Sequence, residues 1–447
     1  MHPITNIHGI EYLDIADSPV EAVSIDLPAA GTGDDVLFIE LAGWIVGKET
    51  PVLGLQIMHG EFVLKRIGLD VDRPDVSGRF PNHHYAGRSG FRANIGLVNL
   101  PRTFDITVRA VLPGETDDDS ARIRVPVAII RGVHDNVAST YIPKRQPLVV
   151  TALGRSGTTW LMHLLSQHQA ITTVSRYPYE VRAGVYWMHM LNILALPGNH
   201  AQSTAPDGFE ADLFHIGHCP YFHPYYFDQF TPNTKMREYF GRDYVNRLAA
   251  FCQESIDRYY DVFDTGISGN ETTYFLEKGI GGQVPHLYRN VYQSTKEIIL
   301  IRDCRDMYCS SQAFNKKRGY ASFGRERVKT NEEWVEILQR SYSRIIEGWR
   351  SRKNEVCLVR YEDLIMHPRD ALAKILAYLA VPHDARAIEK MIKAASKDTP
   401  EMKQHRTSGN PKDSIGRWRK QMDPETRRLF EAAFGDLLEE IGYDPNS

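Results

Sequence analysis

The sequence predicts an α/β protein, a parallel sheet flanked by helices, preceded by an N-terminal all-β sandwich. Three observations carry that expectation. The chain has 447 residues, too many for one compact core. Up to about residue 145 the sequence reads as strands whose apolar and polar residues alternate with a period of two, as half-buried antiparallel strands require. From Pro147 onward, short apolar runs alternate with helical patterns, the rhythm of a parallel sheet covered by helices. The expected domains are therefore 1–140 and 146–447, with 131–146 as the linker.

In the first part, strands are expected at 36–46, 52–58, 61–69 and 91–97, separated by Gly, Pro and Asp. The alternation is plainest in 104–109, where Phe104, Ile106 and Val108 share a face, and in 122–127. In the second part, 148–153 is a short apolar strand that runs through a glycine loop into a helix ending near His168. Further strands are expected at 296–301 and 356–359. Within 367–380, Leu372, Ile375, Leu376 and Leu379 fall on one helical face. Asp423-Pro424-Glu425 reads as a helix start, with a capping acid, a proline at the first helical position and an early carboxylate. The helix that follows is expected to bury Leu429, Phe430, Ala433, Phe434, Leu437 and Ile441.

Composition narrows the function. With 53 basic and 56 acidic residues the formal net charge is −3, so no global field would hold nucleic acid or an anionic membrane. Basic groups that bind an anion must be gathered locally. The N-terminus lacks the basic and apolar regions of a secretory signal, and no apolar run approaches the roughly 20 residues that span a bilayer. The five cysteines are scattered and form no CxxC pair, which reads as reduced thiols in a cytoplasmic protein.

The strongest motif is Gly154-Arg155-Ser156-Gly157-Thr158-Thr159, followed by Trp160. A strand turning through glycines into a helix presents free backbone N–H groups and the positive end of a helix dipole, which suits phosphate-like anions. The hydroxyls of Ser156, Thr158 and Thr159 add donors, and Arg155 adds a planar charged fork. Aligned with the nucleoside-triphosphate loop on Gly157, the sequence has Thr158 in place of the lysine that serves β- and γ-phosphates. A kinase or NTPase is thereby disfavoured, while a plain glycine turn stays open. A second element ends the apolar run 298–301 at Arg302 and continues as Asp303-Cys304-Arg305-Asp306 to Ser310 and Ser311. If a helix starts near Asp303, Arg302 stands at the strand end and Ser310 about two turns along, a pair able to grip another phosphate. Equally, Arg302 and Arg305 could pair with Asp303 and Asp306 on a solvated face.

Four segments together resemble the PAPS-dependent sulfotransferases: GRSGTTWL (154–161), LIRDCRDMYCSS (300–311), RYEDL (360–364) and SIGRW (414–418). The resemblance covers about 147–445 and implies a P-loop-like fold that transfers a sulfuryl group from PAPS to a hydroxyl or amine. It implies Arg155, Ser156, Gly157, Thr158 and Thr159, with Trp160 beside them, at the 5′-phosphosulfate, and Arg302 and Ser310 at the 3′-phosphate. The arginine in the loop is similar to the tyrosylprotein-type and bacterial branches. In that family a basic loop before SIGRW closes over the 3′-phosphate or the acceptor, which makes Arg406 and Arg417 candidate ligands by implication; a solvated loop is the equal alternative. Glu180 resembles the Glu-x-Arg base, and Lys278 a lysine that stabilises the bridging oxygen. Histidine is the alternative base, with His215, His218 and His223 available. Fixed Arg and Lys charge would do the electrostatic work, so no metal is required.

Two questions stay open on the sequence alone. The aromatic and histidine-rich stretch 214–227 reads as an acceptor wall or core packing; its His and Cys residues lack paired metal-ligand spacing. The N-terminal sandwich reads as an accessory or acceptor-binding domain, making a saccharide the leading acceptor, or as a scaffold that joins copies of the chain. A non-catalytic carbohydrate-binding protein with a relic donor site is the remaining alternative.

Overall fold

The structure, a computed structural model, describes residues 3–116, 119–174, 177–195, 238–263, 273–279, 284–319, 323–324, 328–396 and 406–444. The chain opens with strands β1 (Thr5–Tyr12), β2 (Val20–Leu27), β3 (Gly33–Asp34), β4 (Phe38–Gly47), β5 (Gly54–His59) and β6 (Phe62–Ile67). A short helix α1 (Pro74–Arg79) precedes β7 (Gly90–Gly96), β8 (Thr103–Leu112) and β9 (Ile123–His134). Then come β10 (Gln146–Thr151), α2 (Thr158–Leu165), β11 (Ile171–Thr172), α3 (Ala183–Leu194), α4 (Tyr244–Asp261), β12 (Tyr274–Gly279) and α5 (Val284–Val291). The last stretch holds β13 (Lys296–Ile301), α6 (Cys304–Arg318), α7 (Asn331–Arg350), β14 (Cys357–Arg360), α8 (Tyr361–Met366), α9 (Pro368–Leu379), α10 (Ala385–Ala395), α11 (Trp418–Gln421) and α12 (Pro424–Glu440). Two compact units result: Met1–Ile142 with Val185–Ser255 and His286–Val291, and Pro143–Gly184 with Ile256–Pro285 and Tyr292–Ser447.

In the first unit a six-stranded antiparallel sheet, ordered β3-β1-β9-β8-β5-β6, accompanies a three-stranded one, β2-β4-β7. Leu55, Ile57, Ile106 and Val108 of the larger sheet and Ile39, Leu41, Phe91 and Ile95 of the smaller share one buried cluster. The apolar alternation seen in the sequence is the inward face of these strands. Strands β1 and β2 were not expected. Register shifts interrupt β1 between Ile7 and Gly9 and β2 at two places, and each shift breaks the period of two. Residues 131–134 continue β9 and Gln146 opens β10, so the connecting segment is shorter than the expected linker.

The second unit is built on a five-stranded parallel sheet ordered β11-β12-β10-β13-β14. One face buries Leu161, Leu164 and Leu165 of α2 with Leu372, Ile375, Leu376 and Leu379 of α9. The other buries Tyr342 and Ile346 of α7 with Phe430, Phe434 and Leu438 of α12. Asp423 caps α12 by accepting from Thr426 N at 2.8 Å, and Pro424 starts it. Leu438 takes the fully buried place expected of Leu437, which is only partly covered. The strand order matters most for function. Because β10 lies between β12 and β13, the carboxyl ends of three adjacent strands deliver the glycine loop, Lys278 and Arg302 to one edge, where ligands of open α/β sheets bind.

Candidate active site

The glycine loop wraps from β10 into α2 with two residues in the left-handed region, Arg155 at φ +69° and Gly157 at φ +88°. Gly157 is the N-cap of α2, whose first N–H groups have no intrahelical acceptor. A Cβ at Gly157 would lie 2.3 Å from Tyr361 Cδ2, so the loop can pass over that ring only because the side chain is missing. Gly157→Ala is therefore expected to cost roughly 1–3 kcal/mol from backbone strain and displaced Tyr361. Thermal unfolding with and without PAP checks it: both the melting point and the ligand-induced shift fall.

Around the loop lies a cleft of about 440 Å³, edged by Thr158, Thr159, Lys278, Arg302, Ser310 and Arg406 among others. Arg155 Nε donates to Ser310 Oγ at 3.1 Å. The buried ring of Phe314, one helical turn beyond Ser310, is stacked by the guanidiniums of Arg155 (4.5 Å) and Arg318 (4.2 Å). Arg302 is buried at 4% exposure, donates to Arg155 O at 3.0 Å and Ser414 O at 2.6 Å, and stacks 4.4 Å over Tyr361. Among the described residues its buried Nε has no hydrogen-bond partner. Arg417 donates to Gln421 Oε1 at 2.9 Å and Thr407 Oγ1 at 3.0 Å. The acceptors of these bonds are all neutral. Burial first, and then the like charge of Arg302, holds Arg155 down at about 10, still protonated at neutral pH. Burial and the Arg302 charge lower Arg417 as well. The unpartnered Nε and the crowded positive charge fit a bound polyanion.

Other motif residues form the frame. Asp303 caps α6, accepting from Arg305 N at 2.9 Å, and takes two further bonds from the Arg305 guanidinium at 3.0 and 2.8 Å. Arg305 is almost fully buried and stacked 3.8 Å from the Trp418 ring, which makes it a structural residue. Asp306 accepts from Gly416 N at 2.6 Å and Trp418 N at 3.1 Å, and so ties SIGRW to α6. Burial raises its carboxyl above the usual range. Glu362 of RYEDL accepts from Asp303 N at 3.1 Å and from Tyr443 OH at 2.5 Å, bracing the helix that carries Ser310.

On the opposite side of the cleft, the Lys278 ammonium donates to Thr159 Oγ1 at 3.2 Å and Pro178 O at 2.5 Å, and lies 3.5 Å from Glu180 Oε1. Lys278 is buried at 8% exposure while the Glu180 side chain is 57% exposed. Burial lowers the lysine below its ordinary range, and Glu180 opposes that by raising it. An exposed acid thus sits beside a buried cation at the loop.

Thr158, Thr159, Trp160, Glu180, Lys278, Arg302, Ser310 and Arg406 all line the cleft with Arg155 and Gly157. Arg417 stands one residue back, behind Thr407. Ser156 points elsewhere: it is 1% exposed and its hydroxyl meets Met307 Sδ at 3.6 Å, leaving backbone alone to face a ligand. Sequence reasoning missed Tyr361, Phe314 and Thr407. The first lay inside a quoted motif, the second one turn past Ser310 and the third beside Arg406 in the basic loop before SIGRW, signals that were present. His215, His218, Cys219 and His223, with the stretch 214–227, lie outside the described residues. Among the described residues no three His, Cys, Asp or Glu side chains are placed to share a metal, and no helix is long and apolar enough to cross a membrane.

Comparisons with known proteins bear on this site. No protein with a curated description matches the sequence. Among solved structures, a sulfotransferase domain of the Synechococcus PCC 7002 olefin synthase is 17% identical, covering 67% of this chain and 95% of that one at a TM-score of 0.36. A sulfotransferase domain of the curacin biosynthetic pathway is 13% identical, covering 68% and 99% at 0.38. A mouse sulfotransferase solved with PAP is 13% identical, covering 67% and 90% at 0.34. The sequence model of the sulfotransferase family matches residues 147–385, more than half of the chain and every lining residue before Arg406. On that match the chain belongs to the sulfotransferase family, enzymes that draw their sulfuryl group from PAPS.

Proposed function

We propose that the cleft moves the sulfuryl group of PAPS to a hydroxyl of a saccharide acceptor, with Glu180 as general base and Lys278 at the bridging oxygen. The observation that carries this reading is the Lys278 ammonium held between Thr159 of the loop and Glu180. PAPS, when bound, supplies an electrophilic sulfur and a phosphate leaving group. The N–H groups at the start of α2, with Thr158 and Thr159, would hold its 5′ end. Arg302, Ser310 and Arg417 would hold the 3′-phosphate, with Arg406 over it; Arg155, expected at the 5′-phosphosulfate, would reach toward both groups, a reading its bond to Ser310 supports. Trp160 lines the floor. Glu180 accepts the acceptor's proton as the new O–S bond forms, and Lys278 balances charge growing on the phosphate oxygen as the old S–O bond breaks. Exposure of Glu180 supports access for a bulky acceptor. The two antiparallel sheets of the N-terminal region and the aromatic composition of 214–227 support a saccharide.

Thermal shift with PAP in EDTA tests the donor site, since a ligand that binds only the folded state raises the melting point. PAP is expected to stabilise the protein without magnesium; stabilisation by Mg-ATP and none by PAP would support a nucleotide kinase instead. Transfer from radiolabelled PAPS onto saccharides, phenols and tyrosine peptides tests the acceptor. Saccharide labelling is expected, and labelling of phenols or peptides alone refutes the saccharide. PAP binding without turnover on the panel favours a binding protein.

A further inference from the structure

We propose that Glu277, which nothing in the reaction touches, is a positioning residue that sets the place of Glu180. The idea rests on Glu180 being the base.

Glu277 and Lys278 are consecutive on β12, and both are buried. A carboxylate at 1% exposure is costly unless hydrogen bonds replace its water. Glu277 Oε1 accepts from Gly184 N at 2.6 Å and from the Tyr260 hydroxyl at 2.6 Å. Gly184 lies in the first turn of α3, where N–H groups lack intrahelical acceptors and a negative charge is favoured by the helix dipole. Its neighbour Lys278 takes hold of the same segment further back, through Pro178 O at 2.5 Å.

The two bonds fasten the segment from Pro178 to Gly184 at both ends, to adjacent residues of one strand. Between the pins Glu180 and Val181 are exposed, at 57% for the Glu180 side chain and 47% for Val181. Upstream of them Tyr179 is buried and its hydroxyl meets His163 Nδ1 at 2.7 Å, whereas the exposed pair has little packing of its own, so on its downstream side local opening is held off mainly by the bond from Gly184 to Glu277. Displacement of a base by about 1 Å can cost roughly 100-fold in rate, which is the effect the inner pin prevents.

Glu277→Ala is expected to lower kcat by about 100-fold with PAP affinity held within about threefold. Glu277→Gln keeps an oxygen that can accept both bonds and is expected to restore most of kcat. A merely structural role would lower PAP affinity along with kcat; that outcome, or an unchanged kcat in Glu277→Ala, overturns the proposal. If Glu277→Ala does not fold, Glu277→Asp decides by hydrogen–deuterium exchange. Shortened by one methylene, it cannot reach both donors, so exchange across 177–186 should quicken; exchange as slow as in the parent overturns the pin. Glu180→Gln is assayed alongside. Full turnover there removes the base assignment, while the exchange result still reads the pin by itself.

Discussion

Arg302→Ala should weaken PAP binding by roughly 100-fold or more, about 3 kcal/mol, because a charged hydrogen-bond donor to a buried anion is lost. The size follows from where the guanidinium sits. It is buried, stacked on Tyr361 and aimed by bonds to two carbonyls, Arg155 O and Ser414 O. Its buried Nε has no partner among the described residues, a cost that a bound phosphate would offset. Arg302→Lys is not expected to rescue, since an ammonium cannot stack on the ring, hold both carbonyls and still present a donor. Isothermal titration with PAP measures the loss, and the PAP-induced rise in melting point should shrink in step. A dissociation constant within about threefold of the parent would take Arg302 out of the donor site.

How much of this was legible in the sequence depended on whether a feature was local. The buried run Ile298–Ile301, the cap Asp303 and the helical spacing to Ser310 are all set within a few residues, and each stands as expected. The same holds for Asp423 and Pro424 at α12. Features made by distant segments were illegible. Whether Arg302 paired with its acidic neighbours or faced a ligand was undecided, because Glu362 and Tyr443, from beyond residue 360, occupy the space beside Asp303. Arg305 took Asp303, and Asp306 took backbone N–H groups of SIGRW, which left Arg302 to the cleft. The inward turn of Ser156 had no signal either; it sits between two residues in the left-handed region, Arg155 and Gly157, and meets Met307. Strands β1 and β2 escaped because their bulges erase the period on which strand reading depends.

Glu180→Gln should cut kcat by roughly 100- to 10,000-fold, the usual worth of general-base catalysis, with PAP affinity nearly unchanged. The amide keeps the size of the side chain and loses its ability to take a proton. Lys278→Ala should likewise cost turnover far more than PAP binding, since in the proposed transfer the lysine faces charge that grows on the leaving oxygen. Equal losses in both would make it a binding residue. The pair is coupled: Glu180 raises a lysine that burial lowers. Removing the carboxylate therefore lets Lys278 lose its proton at lower pH. The residual activity of Glu180→Gln should then show a basic limb displaced to lower pH than in the parent, provided the lysine works as a cation. If the limb stays in place, Lys278 does not titrate in the reaction. The double variant should be little worse than the more damaged single one, because each group acts on the same transfer and neither completes it alone. Fully additive losses would instead mean that acid and cation serve separate steps. In that event the contact of 3.5 Å between them would be a packing feature of the loop and not a catalytic unit.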